Sequence, residues 1–333
     1  MTASAPAASL QAKKEKVIVI LGPTAVGKTD LSLDLAELLH SEIISGDSML
    51  VYRGFDIGSA KPTPAERRGI PHHLIDILDA DEPYTVTRFQ EQAAAWIHAL
   101  NEKGQIPILA GGTGLYIKAL LEGYAFSHAE GHEDFRAEME RLAQEKGKEA
   151  VHALLEQADP ETAARLHVND FRRVVRALET LKYGGTIVSQ EKRAADTAES
   201  LVYDACVIGL RRERQALYAR INRRVDLMME AGLEDEVRGL LAKGVEREAP
   251  AMKGIGYKEI AAYLAGEGSR KEAVATVKLH TRHFAKRQLT WYRKMPYIEW
   301  VDVDGLSPEE VRNQALARLK KRGFFPIGVE RMG

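Results

Sequence analysis

"VIVILGPTAVGKTD", residues 17–30, is an apolar run that breaks into a glycine-bounded loop and then into a helical pattern. Its second half fits Gly22-x4-Gly27-Lys28-Thr29, the Walker A spacing, in the strand-to-helix context that gives that spacing meaning. The glycines let successive backbone N–H groups turn toward an anion, the helix N-terminus adds a favourable dipole, and Lys28 adds a full charge. Gly22, Pro23, Thr24, Ala25, Val26, Gly27, Lys28 and Thr29 are therefore expected to cradle phosphates, with Thr29 ligating a bridging Mg²⁺. Whose phosphates they are is left open by the loop itself.

Outward from this stretch, short apolar runs alternate with helical patterns, as parallel strands joined by crossover helices do. The further strands expected are "EIIS" (42–45), "HLIDIL" (73–78), "IPILA" (106–110), "ACVIGL" (205–210) and the closing "YIEWVDV" (297–303). Leu31, Leu35, Leu38 and Leu39 recur at helical spacing after the loop. Three of the strands end in the phosphate loop, "GDSM" and "GGTGLY", and ligands of open α/β sheets bind beyond such carboxyl ends. Between Phe126 and Ser189 the texture turns charged, helical and strand-free. The expected fold is α/β, a P-loop NTPase-like parallel sheet flanked by helices over 16–125 and 190–325. An all-helical insertion occupies 126–189, and residues 1–15 form a disordered leader.

The 333 residues are 45% hydrophobic and 29% charged, the balance of an ordinary water-soluble chain. A net charge of -1 gives no global basic field, so any contact with nucleic acid must rest on local clusters. The single cysteine, Cys206, excludes internal disulfides and cysteine-based metal clusters and suits a reducing compartment. No apolar run has the length of a membrane span, and a cytoplasmic monomer is expected.

Asp47 in "SGDSM" lies just past the second strand, where a carboxylate can take a proton or bind metal, or simply cap a turn. Thr113 in "GGTG" (111–114) offers a hydroxyl on a second glycine turn, which could equally be a plain tight turn. There is no Asn-Lys-x-Asp guanine reader, "NEKG" at 101–104 being the nearest stretch, and Asp76 lies within an apolar run rather than at its end. A GTP switch is thereby disfavoured.

Local basic clusters do occur. "FRRVVR" gathers Arg172, Arg173 and Arg176, and "HTRHFAKRQLTWYRK" interleaves Arg282, His283, Lys286 and Arg287 with Phe284, Trp291 and Tyr292. Basic groups among aromatics suit a phosphate backbone and unstacked bases, although a solvated helix face with core aromatics is the plainer alternative. "KGIGYKE" (253–259) sets Lys253 and Lys258 beside Gly256 and Tyr257, the ring being available to stack, unless the loop is a helix cap and connector.

Taken in order, "GPTAVGKTDLSLDLA", "EIISGDSMLVYRGFDIGSAKP", "HHLID", "AGGTGLYIKALLEG", "RLHVNDFRRVVRALE", "MKGIGYKE" and "TRHFAKRQLTWYRK" resemble the bacterial tRNA dimethylallyltransferases, also called tRNA isopentenyltransferases. The resemblance implies transfer of a dimethylallyl group from dimethylallyl pyrophosphate to N6 of adenosine 37, beside the anticodon of tRNAs reading U-initial codons. It implies Asp47 as the base, Thr113 at the reaction centre, and an arginine of "LYARINRR" on the pyrophosphate, Arg220 being favoured over Arg223. The expected contacts to the anticodon stem-loop are Asp47, Ser48, Met49, Leu50, Thr113, Arg136, Arg172, Arg173, Arg176, Lys253, Gly256, Tyr257, Lys258, Arg282, His283, Lys286 and Arg287. Leu50 stands where the family usually has Gln. The rival reading is a small-molecule or nucleoside kinase using the same loop for ATP.

Overall fold

A computed structural model of the chain describes residues 14–124, 132–184 and 197–325. The expected leader falls outside these apart from its last two residues, as do the two ends of the expected insertion.

Strand β1 (Lys16–Leu21) runs through the phosphate loop into helix α1 (Lys28–Leu39), followed by β2 (Ile43–Ser45) and the short β3 (His72–His73). Helix α2 (Val86–Glu102), β4 (Ile108–Gly111) and α3 (Gly114–Glu122) complete the first half. Next come α4 (Glu133–Lys146), α5 (Lys148–Ala158), α6 (Pro160–Arg165) and α7 (Phe171–Glu179), which ends in a π-helical turn at Thr180–Gly184. The chain returns through β5 (Asp204–Arg211), α8 (Arg214–Glu230), α9 (Leu233–Ala242), α10 (Tyr257–Leu264), α11 (Arg270–Tyr292), β6 (Glu299–Asp302) and α12 (Pro308–Lys321).

The strands form a parallel sheet in the order β3-β2-β4-β1-β5-β6. Strand β1 is buried on both faces, which is why its sequence is an unbroken apolar run. Val17, Val19 and Leu21 join the core under α2 and α3, while Ile18 and Ile20 join the core under α1 and α12. Local signals set the helix ends. Ser269 and Ser307 each cap a helix by accepting the N–H three residues on, from Glu272 and Glu310. Gly232, at φ 98°, is the left-handed break between α8 and α9.

The third strand is shorter than expected. Only His72 and His73 pair with β2, because Leu74 and Asp76 take left-handed φ values of 61° and 56° that no strand accommodates. The apolar run "HLIDIL" still buries Leu74, Ile75 and Leu78, but from turns rather than from a strand. Buried Lys61 pins these turns by donating to the Tyr52 carbonyl at 2.7 Å and pairing with Asp56 and Asp76. Asp76 is thus a structural partner.

The chain divides into two compact units, Met1–Glu122 with Ala195–Gly333, and Gly123–Ala194. The smaller unit packs α4, α5 and α7 around Phe135, Met139, Val151, Leu155, Val174 and Leu178. Asp159 caps α6 by accepting the Thr162 N–H at 3.0 Å, with Pro160 at the first helical position.

Candidate active site

In the sheet, β2, β4 and β1 are neighbours, so the loops at their carboxyl ends lie side by side. Gly22 and Gly27 take φ values of 153° and 111°, and a Cβ at Gly22 would lie 2.6 Å from the Leu210 carbonyl oxygen. Glycine is therefore required at Gly22 on both counts. Lys28 Nζ donates to the carbonyls of Gly22 and Pro23 at 3.0 and 2.9 Å, folding back over the loop it follows.

Beyond β2, Gly46 and Gly111 approach so closely that a Cβ on Gly111 would collide with the Gly46 backbone. The glycines of the "GGTG" turn thus serve close approach, and that approach carries Thr113 to the second strand end. The Thr113 N–H donates to the Gly46 carbonyl at 3.2 Å, and the Thr113 hydroxyl accepts the Ser48 N–H at 3.1 Å. Asp47 is held by the Met49 N–H, which donates to its Oδ1 at 2.9 Å. Asp47, Thr113 and the phosphate loop are therefore brought together.

Burial raises the Asp47 carboxyl above its ordinary value, against the pull of the Met49 N–H, Lys28 and Arg224. Burial likewise pushes the Lys28 ammonium down to about 8, with Asp47 opposing and Arg224 adding to the shift. A basic carboxylate faces a cation that gives up its proton more readily than an ordinary lysine.

Two cavities meet here. The first, about 420 Å³, is lined by the polar groups of Lys28, Asp47 and Gln288 and by the apolar side chains of Met49, Ile75, Met228, Val277 and Phe284, among others. The second, about 590 Å³, is basic, with Arg68, Arg220, Arg223 and Arg224 in its wall. Lys28, Thr29 and Arg224 line both. Arg220 Nε donates to the Ala25 carbonyl at 3.0 Å and so reaches the loop, whereas exposed Arg223 pairs with Glu230 at 3.4 Å. Arg224, which sequence reasoning passed over, is the more central group, and burial lowers its guanidinium below the ordinary value. Its signal was present in the chain: it falls four residues after Arg220, on the same helical face.

The expected RNA contacts fall into distinct environments. Ser48, Met49, Leu50, Lys253, Lys258 and Arg287 line the first cavity, while His283 and Lys286 are exposed on α11. Arg282 is tethered to α8, donating to Asn222 Oδ1 at 2.6 Å. Gly256 is buried at the start of α10. Tyr257, expected to stack on a base, is instead fully buried; its hydroxyl donates to Glu236 at 2.7 Å and accepts the Ser59 N–H at 3.2 Å. Tyr292 is likewise buried, with its hydroxyl on the Gly22 and Gly112 carbonyls. Both rings had the right neighbours in sequence but the wrong side of the helix for RNA.

In the smaller unit, Arg172 and Arg173 are exposed. Arg136 and Arg176 converge on the buried carboxylate of Glu179, Arg136 through Nε and Nη2 at 3.0 and 3.1 Å, Arg176 through Nη1 at 2.7 Å. Burial alone would raise that carboxyl, but these bonds and the His132 N–H hold it below the ordinary range.

Thr29 is exposed beside Lys28 and lines both cavities, and among the described residues no cluster of three or more His, Cys, Asp or Glu could hold a metal by itself. That donor set fits Mg²⁺ carried largely by substrate phosphates and water, and does not fit an all-protein cage.

A family model described as IPP transferase matches residues 50–295. Over 300 residues the chain is 48% identical to a tRNA dimethylallyltransferase of Bacillus cytotoxicus, covering 90% of this chain and 94% of that one. Among solved structures it resembles the tRNA isopentenylpyrophosphate transferase of Bacillus halodurans at 42% identity, with a TM-score of 0.68 over 93% of this chain and 99% of that one. A eukaryotic dimethylallyltransferase acting on tRNA superposes with a TM-score of 0.78 at 29% identity, covering 95% and 82% of the two chains.

Proposed function

As the chain belongs to the IPP transferase family, we propose for it the full reaction of a tRNA dimethylallyltransferase. The dimethylallyl group moves from dimethylallyl pyrophosphate to N6 of adenosine 37, and pyrophosphate leaves. The observation that carries this reading is the meeting of the two cavities at Lys28, with Asp47 on one side and Arg224 shared by both.

An exocyclic adenine amine is a weak nucleophile, since its lone pair is delocalised into the ring. Asp47, made more basic by burial, accepts the N6 proton as the new N–C bond forms. The allylic C–O bond breaks toward the phosphate loop, where the loop N–H groups, Lys28 and Arg224 meet the charge that develops on the pyrophosphate. Thr29 would hold Mg²⁺, which when bound adds further charge neutralisation to that leaving group. The apolar lining of the first cavity suits the prenyl chain, and Lys253, Lys258 and Arg287, which also line it, suit an adenine drawn out of the anticodon loop. Arg172 and Arg173 offer further phosphate contacts on the insertion.

The test supplies radiolabelled dimethylallyl pyrophosphate and unmodified tRNA, with labelled ATP as the competing donor. Label entering tRNA from the prenyl donor is the expected result. Phosphoryl transfer from ATP in its place would return the chain to the kinase reading.

A further inference from the structure

Helix α11 carries basic groups on its exposed face, yet its buried face does something else. The Gln288 side chain, 3% exposed, accepts the Thr24 N–H at 2.9 Å through Oε1 and donates to the Gly112 carbonyl at 2.8 Å through Nε2. One turn later the Tyr292 hydroxyl lies 3.1 Å from the Gly22 carbonyl oxygen and 3.0 Å from that of Gly112. A Cβ on Gly112 would sit 2.5 Å from Gln288 Nε2, so the turn carries a glycine where the amide docks.

The two loops tied in this way have opposite tasks in the reaction proposed above, on which this inference rests. The phosphate loop receives the leaving group, while the glycine turn carries Thr113 and abuts Asp47. A carboxamide holds one donor and one acceptor at a fixed separation, and here each is spent on a different loop. Bond formation between two bound reactants is steep in their separation, so a group that sets this distance acts on the chemical step more than on binding. We propose that Gln288 is a positioning residue for prenyl transfer, its amide fixing the spacing between the phosphate loop and the acceptor turn, with Tyr292 as the second tie.

Gln288→Met keeps the length of the side chain and removes both hydrogen bonds. In single-turnover assays with labelled dimethylallyl pyrophosphate and saturating tRNA, its transfer rate is expected to fall about 10–100-fold, with KM for the prenyl donor and Kd for tRNA within about threefold of wild type. Gln288→Glu, which keeps the acceptor but sets a carboxylate against the Gly112 carbonyl, should fall at least as far. Tyr292→Phe should lose about three- to tenfold in the same rate. A folded Gln288→Met enzyme with the wild-type transfer rate overturns the proposal; should that variant not fold, a wild-type rate in Tyr292→Phe does so. A wild-type enzyme that transfers no label rejects the transferase reading itself, and this inference with it.

Discussion

The hydroxyl of Thr113 accepts the Ser48 N–H at 3.1 Å, tying the glycine turn after β4 to the segment that leaves Asp47. The bond orients the hydroxyl and holds the loop of Asp47, the proposed base, against the turn. Thr113→Ala removes both effects and is expected to cut kcat by about a hundredfold. Thr113→Ser, which keeps the oxygen, should recover most of that loss; steady-state kinetics of the pair with full-length tRNA decide.

The pH dependence of kcat/KM should be bell-shaped, because free-enzyme ionisations set it. Its acid limb reflects Asp47 and lies above the roughly 3.9 of an ordinary aspartate, since burial raises that group. Its alkaline limb lies near the value of about 8 to which burial brings Lys28. Lys28→Arg should shift the alkaline limb upward while leaving the acid limb in place.

Asp47→Asn should lose about 10²–10⁴ in kcat and yet melt at a higher temperature than wild type at pH 7. The folded protein holds the Asp47 proton more tightly than the unfolded chain does, so that contribution to stability is full below the unfolded value and is lost as pH rises through the folded one. The amide mimics the protonated state, and the gap in melting temperature should close as the buffer is made acidic. Calorimetry from pH 4 to pH 8, a range of about four units, reads it directly.

Among the arginines of α8, the cavities rank the outcomes. Arg224→Ala should raise KM for the prenyl donor most, since Arg224 lines both cavities, and Arg220→Ala should follow because it also loosens the Ala25 carbonyl. Arg223→Ala, at an exposed site paired with Glu230, should stay within about threefold of wild type. An Arg223 variant worse than Arg224→Ala would reverse this assignment.

Tyr257→Phe separates a wall residue from a base-stacking one. Losing the hydroxyl leaves Glu236 and the Ser59 N–H without that partner, at a cost of about 1–3 kcal/mol in unfolding free energy. The affinity for tRNA at fixed salt should be unchanged, as filter binding would register.

The features legible in the chain were those whose physics is local. A strand buried on both faces must be apolar throughout, as β1 is, and a loop that turns its amides to an anion must carry glycines at fixed places. That Asp47 and Thr113 lie together could be read because both follow strands of one parallel sheet at their carboxyl ends. What stayed hidden depended on which side of an element faces the core. "HLIDIL" has strand composition, and nothing in it announces left-handed turns at Leu74 and Asp76. Tyr257 and Tyr292 stand beside lysines and arginines in the chain, while in space they point inward. Gln288 sits in a helix rich in basic residues, and only the fold shows it between two loops that lie 264 and 176 residues away in the chain.

The shared wall of Lys28, Thr29 and Arg224 bears on inhibition. On the proposed reaction, a compound with a diphosphate mimic in the basic cavity and, in the other, a short apolar arm ending in an adenine-like ring would occupy donor and acceptor sites at once. Joining the two halves makes the second contact intramolecular, so such a bisubstrate ligand should bind more tightly than either fragment by a factor of about 10²–10⁴ when the linker spans the gap past Lys28.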